Sequence, residues 1–253
     1  MNRALDELFY KRELRRWRQA AKHVARVPLA ELNRQQAAAR RLRTQLDRLL
    51  CRAEERLAAL GREAMQPPLP HGTDWFWRPD PWRAPLEIAG LVASPTGTGF
   101  GSGITLFHDC PEPEFSLRQL RHHDSEGHAP FGLQLDIFGF GGTFLSLVVN
   151  LPESAARDLG RNHLVRIDTV IETEQPLRIF ARLNIRHGPN IEQILQELPA
   201  EGAEKCTEFD LAYSRINEKR VEELWLDLIF ESPAMNGIAI PDLTLSRHRR
   251  AAL

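Results

Sequence analysis

The residues best suited to bind a ligand lie on two stretches in the C-terminal half, where polar and apolar side chains alternate. Alternate side chains of a strand point to the same face, so residues 178–186 present one polar, cationic face and lead into a histidine. The polar residues of this stretch are Arg178, Arg182, Asn184, Arg186 and His187. In the second stretch Trp225 alternates with apolar neighbours such as Leu224 and Leu226, which places it on an outward face. A tryptophan beside arginines predicts a ligand platform.

Two interpretations of this platform are open. On the concave face of a β-sandwich it suits an acidic glycan or a carboxylate, because guanidinium groups donate charged hydrogen bonds to such anions. Alternatively it is a solvated face whose arginines are neutralised by acidic neighbours such as Glu172 and Asp227.

Other chemistry-bearing residues give weaker signals. His108 and Cys110 lie two residues apart at the end of a predicted strand, and a thiol with a nearby histidine is the minimum for a thiolate nucleophile. No partner signature surrounds them, so we interpret the pair as a half-buried strand end with an inert thiol. The histidines at 122, 123 and 128 lack the tight spacing of a metal site. The glycines of residues 97–103 lack the Lys-Ser/Thr ending of a phosphate loop. The sequence predicts no catalytic residue, metal or cofactor.

The chain's net charge of −1 hides a strong division. Residues 1–62 contain 16 Lys and Arg against 7 Asp and Glu, a net +9, and the rest contains 17 against 27, a net −10. One predicted helical stripe carries cations at steps of three and four, beside an apolar stripe that includes Tyr10, Leu14 and Trp17. The cations of the stripe are Lys11, Arg15, Arg18, Lys22 and Arg26. This basic amphipathic pattern predicts contact with an anionic surface, or docking of the helix on the chain's own acidic domain.

A second helix is predicted after Pro28, which suits the first turn of a helix. From Leu29 to Leu60, apolar residues recur at heptad-like steps of three and four over about four heptads. Such a seam predicts pairing with another helix, packing across the β domain, or self-association through residues 29–60.

The remainder has the pattern of an all-β domain. Prolines at 67, 68 and 70 mark a linker, and the following segment holds three tryptophans, at 75, 77 and 82, that could stack on sugar rings or attach an appendage to a core. About ten short strand-like runs follow at 8–12-residue spacing, including a hairpin around Gly141-Gly142. The predicted organisation is a basic helical segment (1–62), a Pro/Trp-rich linker (63–85) and a β-sandwich domain (86–253). The fold class is mainly β, a jelly-roll-like β-sandwich preceded by an N-terminal helical hairpin or coiled coil.

Several motifs resemble an alphaproteobacterial family, a domain of unknown function, over nearly the full length. The order of hairpins and the terminal strand also look like the jelly roll of a carbohydrate-binding module. The family motifs are Gly72-Thr73-Asp74-Trp75, Trp77-Arg78-Pro79, Phe107-His108-Asp109-Cys110-Pro111, the run from Phe180 to Asn190, Asp210-Leu211-Ala212-Tyr213, and Asn217-Glu218-Lys219-Arg220-Val221-Glu222. The resemblance implies a recurring architecture and no mechanism, because fold alone does not license function.

Composition favours a soluble, cytoplasmic protein, peripheral to the membrane if its basic helix binds lipid. Three widely spaced cysteines make no disulfide framework, and the start lacks the apolar region of a secretory signal. We expect a non-enzymatic binding or assembly protein that recognises a glycan-like or protein ligand and oligomerises or attaches to an anionic surface through its helices. The alternative is a carbohydrate-active enzyme, although no acid pair stands out by spacing. Nucleic acid is disfavoured as a partner because aromatic–basic interleaving is limited to Trp17 and its neighbours.

Overall fold

The computed structural model describes residues 3–61, 69–86, 88–122 and 129–250. The chain divides into two compact units, Met1–Leu50 and Cys51–Leu253.

The helical unit contains α1 (Arg3–His23), a short 3-10 turn (Val24–Arg26) and the first part of α2 (Leu29–Gly61). Pro28 follows the turn. Its carbonyl accepts hydrogen bonds from the amides of Glu31 and Leu32 at 3.0 and 2.9 Å, at the start of α2. Long apolar side chains are exposed on both helices, among them Tyr10 (65%) and Leu49 (63%). The predicted coiled coil stays a prediction.

In the described part of the chain, the second unit contains the last part of α2, thirteen strands, two short helices and two 3-10 turns (Leu211–Tyr213 and Glu218–Arg220). The strands are β1 (Thr73–Trp77), β2 (Gly90–Val92), β3 (Thr98–Gly99), β4 (Ile104–His108), β5 (Glu114–Arg121), β6 (Phe131–Gly139), β7 (Phe144–Asn150), β8 (His163–Thr173), β9 (Ile179–His187), β10 (Asn190–Glu197), β11 (Glu204–Asp210), β12 (Val221–Glu231) and β13 (Asn236–Arg249). The helices are α3 (Asp80–Arg83) and α4 (Glu153–Ala156).

The strands form two antiparallel sheets. The first has the order β11-β8-β13-β6-β5-β2, with β1 paired to β13, and the second has the order β10-β9-β12-β7-β4-β3. Their inward side chains alternate along each strand and form one apolar core, as in a sandwich. The predicted mainly β sandwich preceded by N-terminal helices is confirmed. The predicted hairpin around Gly141-Gly142 is wrong, because β6 lies in the first sheet and β7 in the second, so the two glycines lie in a connection between the sheets.

The tryptophan-rich segment belongs to the sandwich. Residues 73–77 pair with β13, so they extend the first sheet where the sequence predicted a linker. Trp82 is fully buried, and its indole N–H donates to the carbonyl of Ile240 at 2.8 Å. Trp75 and Trp77 stack with ring centroids 6.4 Å apart and pack against the core. Their pattern predicted an aromatic cluster, and the structure uses it for packing.

A search of the described helices finds none that is both long enough and apolar enough to span a bilayer.

Candidate functional site: a groove on the outer face of the second sheet

The predicted platform is the outer face of two neighbouring strands, β9 and β12. Their antiparallel register pairs Arg182 with Asp227 and Asn184 with Trp225. Because side chains alternate along a strand, these partners project to the same face, away from the core leucines. The pairing therefore places the arginines of β9 beside the tryptophan of β12, as the sequence predicted.

This face holds a groove with a volume of about 520 Å³. Two further strands contribute to it, because β7 pairs with β12 and β4 pairs with β7. The groove is lined by Thr105, Phe107, Phe144, Ser146, Val148, Asn150, Arg182, Arg186, Glu223, Trp225 and Asp227. Phe107 is 40% exposed and Phe144 is 37% exposed, and Trp225 is half-buried. The groove thus offers three aromatic side chains and several hydrogen-bonding groups to one ligand.

An ion pair lies in the floor of the groove. Asp227 is only 2% exposed, and its Oδ2 accepts from Arg182 Nε at 2.7 Å and lies 2.5 Å from Arg182 Nη2. The same oxygen accepts from Asn184 Nδ2 at 3.2 Å, and the Asn184 side-chain oxygen accepts in turn from Gln193. The network spans β10, β9 and β12 and fixes the Arg182 guanidinium in place.

A second ion pair joins the same two strands nearer one end. Arg186 contacts the carboxylate of Glu223 and lies 3.8 Å from that of Glu222. Each arginine of the groove therefore has an acidic partner, as the second interpretation of the platform expects, and ligand binding by this face stays a prediction. Its charges are neutralised, by Asp227 as anticipated and by Glu223, while Glu172 lies on β8 of the other sheet.

Two buried polar atoms of the groove residues have no hydrogen-bond partner among the described residues. They are Asp227 Oδ1, an acceptor, and Ser146 Oγ, which can donate or accept. Buried polar groups are nearly always hydrogen-bonded, and each exception calls for an explanation. An unmade hydrogen bond of this kind costs about 1–3 kcal/mol.

The remaining predicted ligand residues lie outside the groove or inside the protein. Arg178 donates to Glu197 and Glu231 at 3.0 Å each, and its hydrogen bond lowers the pKa of Glu197. Asn184 is completely buried, so it supports Arg182 and Asp227 from within the network. His187 points to the inner side of β9, where it is 6% exposed and its Nδ1 accepts from the amide of Asn217 at 3.4 Å. The assignment of all six residues to ligand binding stays a prediction.

Sequence reasoning missed the β4 and β7 side of the groove. Phe107 on β4 and Phe144 and Ser146 on β7 have the alternating spacing of outward residues. That spacing identifies a face but not its neighbours, because the order of strands in a sheet is a tertiary property. No signal in the sequence placed β7 between β12 and β4.

The histidine–aspartate–cysteine segment has a structural role. His108 is 7% exposed, its Nε2 lies 3.0 Å from the carbonyl of Ser94, and Cys110 is buried. Asp109 accepts from the hydroxyl of Thr143 at 2.6 Å and from the amides of Thr143 and Phe144, and the hydroxyl hydrogen bond contributes most to lowering the pKa of Asp109. Asp109 thereby holds the start of β7.

Of the three histidines at 122, 123 and 128, His122 donates from its Nδ1 to the carbonyl of Ala129, 2.8 Å away, and the other two lie outside the described residues. Within those residues no group of three His, Cys, Asp or Glu side chains could hold a metal ion.

Comparisons with known proteins give a family of unknown function and partial structural alignments. A model built for a family of unknown function matches residues 1–253. The comparison with curated proteins gives no match. Among solved structures, the enzymatically active domain of bacteriophage CBA120 tailspike protein 4 aligns with a TM-score of 0.42 and 11% identity, over 61% of this chain and 21% of that chain. This chain thus spans about a fifth of the tailspike domain's length.

Two smaller proteins align over most of their own length. The family 11 carbohydrate-binding module of Clostridium thermocellum, in complex with a β-1,3-1,4-mixed-linked tetrasaccharide, gives a TM-score of 0.38 and 10% identity over 62% of this chain and 95% of that chain. TmCBM61 in complex with β-1,4-galactotriose gives a TM-score of 0.34 and 13% identity over 59% of this chain and 90% of that chain.

Proposed function

The chain belongs to DUF6478, a family of unknown function that covers residues 1–253, and we propose that this member binds a neutral carbohydrate in the groove without reacting with it. The observation that carries the proposal is one groove in which Phe107, Phe144 and Trp225 stand beside a polar floor. A sugar ring presents C–H faces that pack on aromatic rings and hydroxyl groups that both donate and accept hydrogen bonds. Apolar walls with a few placed polar groups are the usual composition of a small-molecule site.

The polar floor matches hydroxyl chemistry. Asp227 Oδ1 can only accept and Ser146 Oγ can donate, and neither has a partner among the described residues. Both atoms have almost no accessible surface, so ligand hydroxyls meet the more exposed polar side chains of the groove. These include Thr105 and Asn150, whose hydroxyl and amide groups can both donate and accept.

The electrostatics favour a neutral ligand over an acidic one. The groove is lined by two arginines, Arg182 and Arg186, and two carboxylates, Asp227 and Glu223, joined as ion pairs. An anionic ligand would have to compete with these carboxylates for the guanidinium groups. A neutral sugar requires no such exchange.

The same carboxylates argue for binding over hydrolysis. Glycoside hydrolysis uses two carboxyl groups about 5–9.5 Å apart, one of which must carry a proton. Glu223 and Asp227 are four residues apart on β12, so their backbones lie about 13 Å apart at about 3.3 Å per residue. A carbohydrate-active enzyme is therefore the weaker alternative.

The proposal is tested with a pair of phenylalanine variants. Phe107→Ala removes an exposed groove ring, and Phe138→Ala removes a 62% exposed ring on β6 of the other sheet. A glycan array identifies the best neutral oligosaccharide, and calorimetry then measures its affinity. We expect Phe107→Ala to weaken binding at least tenfold and Phe138→Ala to leave it unchanged. Equal affinities for both variants, or an array without any neutral binder, would refute the proposal.

We propose a second function for α1, contact with an anionic membrane surface. All five cations of its stripe and of the following turn, from Lys11 to Arg26, are exposed. Beside them Tyr10, Leu14 and Val24 are exposed to 65%, 36% and 49%. Exposed apolar side chains flanked by cations are what a helix needs to lie in a lipid interface.

Vesicle sedimentation tests this contact. We expect the protein to sediment with phosphatidylserine vesicles and not with phosphatidylcholine vesicles, and Arg15→Ala/Lys22→Ala to reduce sedimentation several-fold. Arg118→Ala/Arg121→Ala on β5 removes the same charge from the sandwich and should have no effect. Equal losses in the two double variants would contradict the assignment to α1.

We further propose that residues 29–60 self-associate through the heptad seam of α2. The seam residues Leu42, Leu46 and Leu49 are exposed to 42%, 49% and 63% within one chain, and a coiled-coil partner would cover them. Leu42→Gln/Leu46→Gln should convert an oligomer to a monomer in sedimentation velocity. A wild-type protein that is monomeric at tens of micromolar would end this proposal.

A further inference from the structure

A second cavity lies at one end of the sandwich and is larger than the groove, with a volume of about 930 Å³. Three segments form it: the residues just before β8, the connection between β11 and β12, and the residue after β13. It is lined by Arg161, Asn162, Ala212, Arg215, Ile216, Asn217, Glu218, Lys219 and Arg250. The amide of Arg250 donates to the carbonyl of Asn162 at 2.9 Å, which joins the two outer segments.

The lining is strongly cationic. It carries three arginines and one lysine against a single carboxylate, Glu218, which gives a net charge of +3. The residues that follow position 62 carry a net charge of −10, so cations are concentrated here against the general balance. Like charges brought together raise the local potential and attract an anion.

Two of the four cations are held in place by the protein. Arg161 Nη2 donates to the carbonyl of Ala212 at 2.9 Å, and the Arg161 amide donates to Glu218 Oε1 at 2.5 Å. Arg250 Nη2 lies 3.4 Å from Asp210 Oδ2, and its guanidinium lies 5.6 Å from the ring centroid of Tyr213. These contacts orient both guanidinium groups and so reduce the entropy that a ligand would cost.

The other two cations are uncommitted. Arg215 and Lys219 are exposed, and their side chains make no hydrogen bond or ion pair with the described residues. In the groove, by contrast, both arginines are paired with carboxylates. The end cavity therefore differs in kind from the groove, since two of its cationic side chains have no acidic partner among the described residues.

We propose that the end cavity binds a small molecule through a phosphate group. A phosphate monoester carries a charge of about −1.5 to −2 at neutral pH and three acceptor oxygens, which matches two cations without acidic partners, Arg215 and Lys219, better than one carboxylate does. Guanidinium forks and a lysine point charge are the donors that phosphate recognition uses. The volume falls within the range of about 300–1,000 Å³ of small-molecule sites.

Pyrophosphate titrated into the full-length protein by calorimetry, at fixed ionic strength, tests this site. We expect saturable binding that Arg215→Ala/Lys219→Ala weakens at least tenfold, and acetate at the same ionic strength should not compete. Because both side chains are exposed and unpaired, the double variant should unfold at the wild-type temperature. Arg118→Ala/Arg121→Ala is the control, since it removes the same charge from β5, which does not line the cavity.

Three results would overturn the proposal. If pyrophosphate binding to the wild type does not saturate, the end cavity is not a binding site. If both double variants weaken binding equally, the binding reflects the overall charge of the protein and not this cavity. A single-stranded oligonucleotide that binds more tightly than pyrophosphate, through the same two residues, would replace a small molecule by a phosphodiester polymer. None of these outcomes bears on the glycan test, which uses Phe107 and neutral ligands.

Discussion

Removal of the Arg182 guanidinium should destabilise the sandwich far more than removal of the neighbouring Arg186. Asp227 is 2% exposed, and without Arg182 its Oδ2 keeps only the hydrogen bond from Asn184 at 3.2 Å. Breaking a buried ion pair costs about 3–5 kcal/mol because an uncompensated charge stays buried. The Arg182 side chain is 38% exposed, so solvent screens part of the effect. We therefore expect the lower end of the range, a loss of about 3 kcal/mol for Arg182→Ala.

Arg186→Ala is the matched control. Its partner Glu223 lies on the same two strands, but the side chains are 46% and 39% exposed, and exposed pairs contribute about 0–1 kcal/mol. Each kcal/mol shifts the melting temperature by about 2–4 °C in a domain of 150–250 residues. Arg182→Ala should therefore lower the melting temperature by about 6–12 °C, and Arg186→Ala by no more than about 4 °C.

A double-mutant cycle identifies the cause. Replacing Asp227 by alanine removes the charge that Arg182 neutralises, so the further change Arg182→Ala should cost little in the Asp227→Ala background. We expect a coupling of about 2–3 kcal/mol, within the range for residues in direct contact, from urea unfolding followed by tryptophan fluorescence. The reasoning would be refuted if Arg182→Ala lowered the free energy of unfolding no more than Arg186→Ala does. It would also be refuted if the effects of Arg182→Ala and Asp227→Ala were additive. Either outcome would mean that Asp227 is less buried or less dependent on Arg182 than its contacts indicate.

Two predictions concern the connection between β6 and β7, whose end Asp109 holds. The pKa of Asp109 lies below its ordinary value of 3.8, so its ionised form adds stability above about pH 4 that is lost as the pH falls through the folded-state pKa. Asp109→Asn should lower the free energy of unfolding by about 1 kcal/mol at pH 7. In urea unfolding near pH 3, the difference in stability between the wild type and the variant should be smaller. A difference that does not change with pH would contradict the dependence of stability on the ionised Asp109. A Cβ at Gly142 would lie 2.3 Å from Asp109 Oδ1 and 2.8 Å from the amide nitrogen of Cys110, whereas a Cβ at Gly141 meets nothing within 4 Å. Gly142→Ala should therefore cost about 1–3 kcal/mol in thermal unfolding and Gly141→Ala close to none, and equal effects would show that the backbone relaxes freely.

The comparison of Arg182 with His187 shows what the alternation of side chains along a strand can predict and what it cannot. The two-residue period of a strand assigned Arg182, Arg186 and Trp225 to an outer face, and the structure places all three in the groove. His187 ends the same strand on the opposite face and is buried, because a change of one position reverses the direction of a side chain. Asn184 follows the period and is nevertheless inaccessible, since Gln193, Arg182 and Asp227 surround its amide. The two-residue period predicts the direction in which a side chain points, but whether that side chain is buried depends on the residues of neighbouring strands.

The end cavity could not have been found from the sequence. Arg161, Arg215 and Arg250 are separated by 35 residues or more along the chain, and each lies in a different connection or terminus. They meet because β8, β12 and β13 begin or end at the same end of the sandwich. The sequence showed only an acidic domain, since charge summed over residues loses the position of each charge.

The sequence by itself determined the properties that repeat along the chain. These are the basic helices, the alternation that makes a mainly β sandwich, and the outward direction of Arg182 and Trp225. Each depends on backbone geometry and local periodicity, which act between residues a few positions apart. Only the tertiary structure decided that 73–77 pairs with β13, that Asp227 neutralises Arg182, and that Phe107 and Phe144 complete the groove. Those features depend on which strands become neighbours. The order of the strands follows from burial of the whole core, and no local sequence pattern specifies it.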